Sequence, residues 1–367
     1  MGFDELLKTD IKANDVSIIE TIRQSKLPVV LYGATVDVAD QIVKKLLAND
    51  ILINLVAFDE ESPLMTKSTQ LLCETETIAL DHVDKRYNAY HVILGFVKGY
   101  AQLDRISQKF KHAKSIAYLS EIFDMEYISP SFIADNKDFF KNFYEQLSDQ
   151  HSKDSFVAYV LSKTHQDMKY LPPIFEKIQY FPKGFFELSK DESYFDCGAF
   201  TGDTIADFLK STGGSYRHIW AAEPDKSNYK QLLSYINKEN LVNIDVINKG
   251  VYSSAKKLPF IENGSMLSMI SEDTDNYIEV DTIDHIVDGN EVTYIKMDVE
   301  GAELEALKGA EKTIRQYKPM LGISIYHKQQ DLIDIPEYIK SLVPEYKFYF
   351  RVHKKLAIDT VLYGIIK

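Results

Sequence analysis

The chain has 367 residues with a formal net charge of −13, and 45% of its residues are hydrophobic. This length and composition are typical of a globular protein with two domains and a sizeable core. The negative charge argues against binding of RNA or DNA through a basic surface. No segment has the apolar length of a membrane span, and no signal-peptide pattern begins the sequence. We therefore expect a soluble, cytoplasmic protein in which Cys73 and Cys197 are reduced, buried thiols.

Strand and helix patterns alternate in the first third of the chain. A buried-strand run at residues 29–33 precedes helical periodicity at 36–47 and a second strand run at 51–59. This order is typical of a βαβ unit. Further strands are predicted at 90–95 and 115–118. Together these patterns predict a small Rossmann-like domain.

Two interpretations of this first domain remain open. The turn after its first strand keeps one glycine, Gly33, where a dinucleotide fingerprint has two or three. Asp37 would also repel a pyrophosphate. The domain could bind the cofactor of an NAD-dependent or nucleotide-sugar oxidoreductase. It could equally be a degenerate Rossmann domain used for substrate binding, homodimer contacts or scaffolding.

A helical segment rich in aromatic residues follows. Aromatic side chains at helical spacing are usually core residues, so we interpret this segment as a connector that packs on the next domain. The predicted domains are an N-terminal Rossmann-like domain at residues 1–126, a helical connector at 127–190 and a larger α/β domain at 191–367.

A glycine turn at the start of the larger domain is the centre of the predicted site. The apolar residues Tyr194 and Phe195 end in Asp196, and a helix pattern follows the turn. We expect Gly198 to let the backbone turn sharply and Gly202 to let it approach a ligand closely. A strand, a tight turn and a helix N-terminus form the usual small-molecule site of α/β proteins.

The chemistry of this turn favours one ligand class. A P-loop would have Lys and Ser or Thr after its last glycine, whereas Asp203 stands there, and a dinucleotide turn would have three glycines. An acid at the strand end, Asp196, suits the ammonium and sulfonium of S-adenosylmethionine. The alternative is an ordinary βα turn with a capping Asp or Thr. The candidate cofactor-binding residues of the turn are Asp196, Gly198, Phe200, Gly202, Asp203 and Thr204.

A second acid follows at the spacing expected of a ribose-binding residue. The strand pattern at residues 218–222 ends in Glu223, and Pro224 and a new helix come next. An acid about 20 residues or somewhat more beyond a glycine turn is placed to accept both ribose hydroxyls. Asn228 lies in the first turn of the helix after it.

Four motifs follow one another in the second half of the chain. They are Asp196-x-Gly-Ala-Phe-x-Gly-Asp203, Glu223-Pro-Asp225, Val280-Asp-Thr-Ile-Asp284, and Ile295-Lys-Met-Asp-Val-Glu-Gly-Ala-Glu303 with Leu307-Lys-Gly-Ala310. In this order they resemble the FkbM family of S-adenosylmethionine-dependent methyltransferases, over the chain from about Phe156 to the C-terminus. The block ending in Asp-Val-Glu-Gly-Ala-Glu is the most family-specific of them.

The resemblance implies a class I methyltransferase fold, a Rossmann-like seven-stranded sheet that ends in an antiparallel hairpin. It also places Gly250, Val251 and Ser253 under the adenine, and Tyr180 near the cofactor. An aromatic ring there could stabilise a sulfonium by cation–π attraction, although core packing is as good an interpretation of each ring.

Three polar residues are predicted to meet on the other side of the crevice. The strand pattern at 293–297 delivers Asp298, with Glu300 close behind, and the strand at 320–326 delivers His327. Transfer of a methyl group to oxygen requires a base, for which His327 is the first choice and Asp298 the second. The same three side chains could instead hold a divalent cation or bind a sugar, and His327 could be structural.

The resemblance implies an O-methyltransferase (EC 2.1.1.-) that uses S-adenosylmethionine. By analogy with the two-domain layout of sugar-modifying proteins, we expect the acceptor to be a hydroxyl of a sugar, nucleotide sugar or glycan precursor of polysaccharide biosynthesis. The alternatives are a nucleotide-sugar or NAD-dependent oxidoreductase and a non-catalytic Rossmann-type binding protein.

Overall fold

A computed structural model gives the fold. It describes residues 17–34, 36–59, 75–96, 106–123, 127–171, 176, 178–185, 187–261, 269–270, 274–353 and 359–366. Backbone contacts divide the chain into two compact units, with residues 1–144, 153–175 and 354–358 in the first and 145–152, 176–353 and 359–367 in the second. The boundaries near residues 126 and 190 stay predictions.

The first unit contains a five-stranded, fully parallel sheet. Its strands are β1 (Val29–Tyr32), β2 (Leu55–Phe58), β3 (Thr77–Ala79), β4 (Tyr90–Leu94) and β5 (Ala113–Ala117). Their order is β3-β2-β1-β4-β5. The α/β prediction for this part of the chain is confirmed, and β3 is a strand that the sequence pattern did not reveal.

Helices flank these strands and continue through the aromatic segment. The apolar faces of the first two pack on the sheet around Leu31, Ile42 and Ile93. The helices up to residue 171 are Ile18–Ser25, Val36–Leu47, Val83–Arg86, Ile106–Lys109, Ser120–Phe123, Pro130–Asp135, Lys137–Gln146 and Gln150–His165, with short 3₁₀ turns at Leu80–His82 and Met168–Tyr170.

The turns after β1 and β4 of this sheet pack closely against each other. A Cβ on Gly33 would lie 2.9 Å from Phe96, and one on Gly95 would lie 2.3 Å from the Gly33 carbonyl oxygen. The acid after β2, Asp59, accepts a 2.7 Å hydrogen bond from the Tyr32 hydroxyl and pairs with Lys109. These contacts oppose the dinucleotide interpretation of this unit.

The second unit is built on a mixed seven-stranded sheet. Its strands are β6 (Ser193–Cys197), β7 (His218–Ala222), β8 (Ile244–Ile247), β13 (Tyr294–Met297), β14 (Met320–Ser324), β15 (Lys347–Val352) and β16 (Thr360–Ile365). The order is β15-β16-β14-β13-β6-β7-β8, and β16 is antiparallel to both its neighbours. This arrangement confirms the predicted seven-stranded sheet and its C-terminal hairpin.

A smaller sheet, absent from the prediction, joins β8 to β13. It contains β9 (Gly250–Val251), β10 (Lys256–Ile261), β11 (Met269–Ile270) and β12 (Tyr277–Asp281) in the order β11-β10-β12-β9. The helices of the second unit are Asp203–Thr212, Lys226–Lys238, Ile283–Val287, Glu303–Lys308, Glu311–Tyr317 and Asp331–Leu342. No helix among the described residues is long and apolar enough to cross a membrane.

An aromatic core fixes the central strands of the large sheet. Tyr194 on β6 stacks on Phe208 with ring centroids 4.4 Å apart, and Phe181 packs edge-on against Tyr294 of β13. The strand order reverses between β6 and β13, because the chain runs outward from β6 to β8 and then returns to β13. Ligands of open α/β sheets bind at such a switch point, beyond the carboxyl ends of the strands.

Candidate active site

The glycine turn leaves β6 at the switch point. The N–H groups of Gly198 and Ala199 both donate to the Ala222 carbonyl, each at 3.0 Å. Gly198 has a φ of 75°, and a Cβ there would lie 2.0 Å from the carbonyl oxygen of Asp298. Only glycine fits this position, because the turns after β6 and β13 touch.

Gly202 has a different role from the one predicted. Its φ of 94° begins the helix Asp203–Thr212, and a Cβ there would lie 2.6 Å from the Tyr235 ring. The close approach at Gly202 is therefore to a neighbouring helix, whereas the sequence predicted an approach to a ligand. Asp203 is exposed at the helix start, and the Thr204 side chain reaches Asp196.

Asp196 faces an internal cation that sequence reasoning missed. Its carboxylate is 0% exposed and lies 3.0 Å from the ammonium of Lys296, which is 3% exposed. The two residues are register partners on β6 and β13. Lys296 also donates to the carbonyl of Gly198 at 2.7 Å. This buried pair therefore ties the glycine turn to the central strand.

Glu223 holds the glycine turn from the other side. Its carboxylate accepts N–H groups from Phe200 and Asp225, both at 2.9 Å. Phe200 adopts a left-handed φ of 47°, which is uncommon outside glycine and often marks a functional site. Burial raises the pKa of Glu223 to about 7, against the lowering effect of the two N–H donors. Asn228 is buried in the first turn of the following helix.

The predicted adenine residues divide into two groups. Gly250 lies beside the Glu223 strand end, since a Cβ on it would be 3.8 Å from Pro224. Val251 is buried and pairs with Asp281 of β12. Ser253 instead donates its hydroxyl hydrogen bond to Glu305, on the helix Glu303–Lys308. The structure therefore gives Ser253 a different partner from the predicted one.

Tyr180 contacts residues of β13 and β14 and the acid that follows β13. Its hydroxyl donates to Asp298 at 2.7 Å and lies 3.0 Å from the Ser324 hydroxyl. The cation over its ring is the Lys296 ammonium, 5.3 Å from the ring centroid. The ring therefore already faces a cation of the protein, which the sequence did not predict.

Asp298, Glu300 and His327 converge beyond β13 and β14. The Nε2 atom of His327 lies 3.2 Å from Glu300 and 3.7 Å from Asp298, and its Nδ1 atom lies 3.1 Å from the fully buried Glu303. Glu303 also accepts the Val299 N–H at 2.9 Å. The structure thus brings together Asp298, Glu300 and His327, which we call the rim residues, and adds Glu303 behind them.

The electrostatics of this rim keep a proton on the histidine. Burial alone would lower the pKa of His327, but the carboxylates of Glu303, Glu300 and Asp298 together raise it well above its ordinary value. Burial raises the pKa of Glu300, although His327 opposes this effect. The three carboxylates therefore favour the protonated form of His327, which opposes a role as the base.

Comparison with known proteins agrees with this geometry. Residues 196–348 match the family model described as the methyltransferase FkbM domain. The second unit carries an FkbM methyltransferase domain. The matched residues of this FkbM domain include the glycine turn, Glu223 and all three rim residues.

One solved structure shares the fold of this chain over its full length. The crystal structure of the methyltransferase FkbM from Methylobacillus flagellatus KT is 21% identical, covers 99% of both chains and has a TM-score of 0.72. An rRNA methylase from Streptococcus thermophilus is 13% identical over 49% of this chain and 90% of its own, with a TM-score of 0.33. A putative methyltransferase from Streptococcus mutans, solved with SAH, is 10% identical over 48% and 90%, with a TM-score of 0.31. No curated protein sequence matches the chain.

Proposed function

We propose that the protein is an S-adenosylmethionine-dependent O-methyltransferase whose acceptor is a hydroxyl of a sugar, nucleotide sugar or glycan precursor. The observation that carries the proposal is the meeting of the glycine turn and Asp298 at the switch point of the large sheet, where Gly198 contacts the Asp298 backbone. A cofactor held on one side of this point presents its methyl group to an acceptor on the other.

Glu223 and the glycine turn form the cofactor half of the site. Glu223 lies at the carboxyl end of β7, where its acceptor oxygens suit the two hydroxyls of a ribose. Gly250 lies beside the same strand end, where we propose that the adenine binds. Asp196 already pairs with Lys296, so we propose that it acts on the ligand by holding the turn and makes no direct contact.

Glu300 is our proposed base in the acceptor half. It has the most exposed side chain of the three rim residues, at 29% against 20% for Asp298 and 11% for His327. The acceptor hydroxyl gives its proton to Glu300 while its oxygen bonds to the methyl carbon, and the S–CH₃ bond breaks to leave a neutral thioether. His327, the base predicted from the sequence, instead positions the carboxylates through its ring nitrogens.

Calorimetry tests the cofactor half directly. We expect S-adenosylmethionine to bind wild-type protein at one site and to bind Glu223→Gln at least tenfold more weakly. NAD should bind neither protein, because Asp59, the acid after β2, is already paired with Tyr32 and Lys109. Binding of NAD with no binding of S-adenosylmethionine would favour the oxidoreductase, and binding of neither would favour a non-catalytic protein.

The acceptor is found by transfer of a labelled methyl group. Purified protein is incubated with labelled S-adenosylmethionine and with nucleotide sugars or glycans, and Glu300→Gln serves as the inactive control. Label in a base-stable ether linkage of a sugar supports the proposal. Label on a protein amine or a carboxylate contradicts the choice of acceptor.

A further inference from the structure

The three rim residues form a convergent set of ligand atoms. One atom each from Asp298, Glu300 and His327 lies within 4.8 Å of both others. The set combines two carboxylate oxygens with one imidazole nitrogen, and each side chain is only partly buried. The three side chains therefore converge on one partly buried region of the site.

The spacing of these atoms suits coordination to one ion. Ligands at about 2.1 Å from a metal lie about 3.0–3.4 Å apart when they occupy neighbouring octahedral or tetrahedral positions. The Nε2 atom of His327 is 3.2 Å from Glu300 and 3.7 Å from Asp298. The Nε2 atom of His327 makes no hydrogen bond of acceptable geometry among the described residues.

Glu303 lies where a carboxylate that orients a metal-binding histidine would lie, next to the second ring nitrogen of His327. Its carboxylate is 0% exposed and lies 3.1 Å from the Nδ1 atom of His327, on the side away from Glu300 and Asp298. A histidine that binds a metal through one ring nitrogen almost always gives the other to a carboxylate, a carbonyl or water. The Val299 N–H fixes the same Glu303 oxygen at 2.9 Å.

The charges of the cluster also require a cation. Among the ion pairs of the described residues, Asp298, Glu300 and Glu303 share His327 as their one cationic partner. The two nearby lysines are engaged elsewhere, Lys296 with Asp196 and Lys328 with the Gly301 carbonyl. The three carboxylates outnumber the single positive charge that His327 can carry, so a divalent cation that replaces the Nε2 proton of His327 would reduce the excess negative charge.

We propose that Asp298, Glu300 and His327 bind a divalent cation of the Mn²⁺ or Mg²⁺ class, with Glu303 as the positioning residue behind His327. Two oxygens and one nitrogen with open positions suit such an ion, which prefers carboxylate, imidazole and water ligands. Resting on the proposed function, the ion would hold the acceptor oxygen and lower the pKa of its hydroxyl.

Manganese electron paramagnetic resonance tests the site without any methyl donor. Protein freed of metal by a chelator is titrated with Mn²⁺, and loss of the free-ion signal gives affinity and stoichiometry. We expect one Mn²⁺ per chain, with ¹⁴N coupling from imidazole in the bound spectrum. His327→Ala should abolish the coupling, and both His327→Ala and Glu300→Gln should weaken binding at least tenfold.

A matched control comes from a second carboxylate–imidazole pair. His285 Nδ1 lies 2.9 Å from Asp281, but that pair has Lys249 beside it and no further carboxylate in contact among the described residues. His285→Ala should bind Mn²⁺ as wild type does. Thermal unfolding of each variant checks its fold, and Mn²⁺ should raise the unfolding temperature of wild type but not of Glu300→Gln.

Three outcomes would overturn the inference. They are no binding of Mn²⁺ or Mg²⁺ by wild type, binding without ¹⁴N coupling, and binding that His327→Ala and Glu300→Gln leave unchanged. Calorimetry with S-adenosylmethionine on the metal-free protein separates this result from the proposed function. Donor binding without metal binding refutes only the cation, and metal binding without donor binding refutes only the methyl donor.

Discussion

Removal of the buried ammonium of Lys296 is expected to destabilise the FkbM domain strongly. Lys296→Met keeps most of the side-chain volume but leaves the 0%-exposed carboxylate of Asp196 without the ammonium that lies 3.0 Å away. It also removes the 2.7 Å hydrogen bond to the Gly198 carbonyl. Loss of one partner from a buried ion pair costs about 3–5 kcal/mol. A domain of this size should therefore unfold about 10 °C lower.

The single tryptophan provides the assay. Trp220 is 5% exposed on β7, the strand next to β6, so its fluorescence reports unfolding of this sheet in urea. Lys210→Met is the control, because Lys210 is an exposed lysine paired with Asp207, and it should change the free energy of unfolding by less than about 0.5 kcal/mol. The double variant Asp196→Asn/Lys296→Met should recover much of the lost stability. Equal effects of the two lysine variants, or a double variant less stable than Lys296→Met, would refute the reasoning.

Three further changes test the site. The pKa of Glu223 is raised from 4.5 to about 7, so the free energy of unfolding should fall as the pH rises from about 4.5 to 7. Binding of S-adenosylmethionine should strengthen over the same pH range. Calorimetry on Glu223→Gln should show neither trend. Gly198→Ala should abolish binding of S-adenosylmethionine and lower the free energy of unfolding in urea by about 2–4 kcal/mol. Gly213 also has a left-handed φ, but a Cβ on it would meet no atom within 4 Å, so Gly213→Ala should cost about 1 kcal/mol. His327→Ala should lower kcat at least tenfold and leave the donor Kd within about twofold, and an equal loss of both would make His327 structural.

Much of the fold could be predicted because its signals are local. The strand–turn–helix around Gly198, the acid at Glu223 and the C-terminal hairpin each depend on neighbouring residues. The sheet of β9–β12 was missed because β9 and β11 are two residues long and owe their pairing to distant strands. Short segments carry too little periodicity to be recognised.

The contacts that the sequence did not predict depend on how distant strands pair with one another. Lys296 stands in a buried strand run, and its partner Asp196 is 100 residues earlier in the chain, beside it only through the pairing of β13 with β6. A lysine inside a fully buried strand requires a counter-charge, and that requirement was the available signal. The contact of Tyr180 with Asp298 is likewise set by tertiary packing.

A cytoplasmic location, a homodimer through the first unit and a glycan acceptor stay predictions, and Cys73 lies outside the described residues. Cys197 is a free, buried thiol at the end of β6, as predicted.

A crystal structure with S-adenosylhomocysteine tests the central claim most directly. We predict that its ribose hydroxyls bond to Glu223, that its adenine lies beside Gly250 and that its sulfur points toward Asp298. A ligand seated away from the turn after β6, or held by the first unit, would contradict the account.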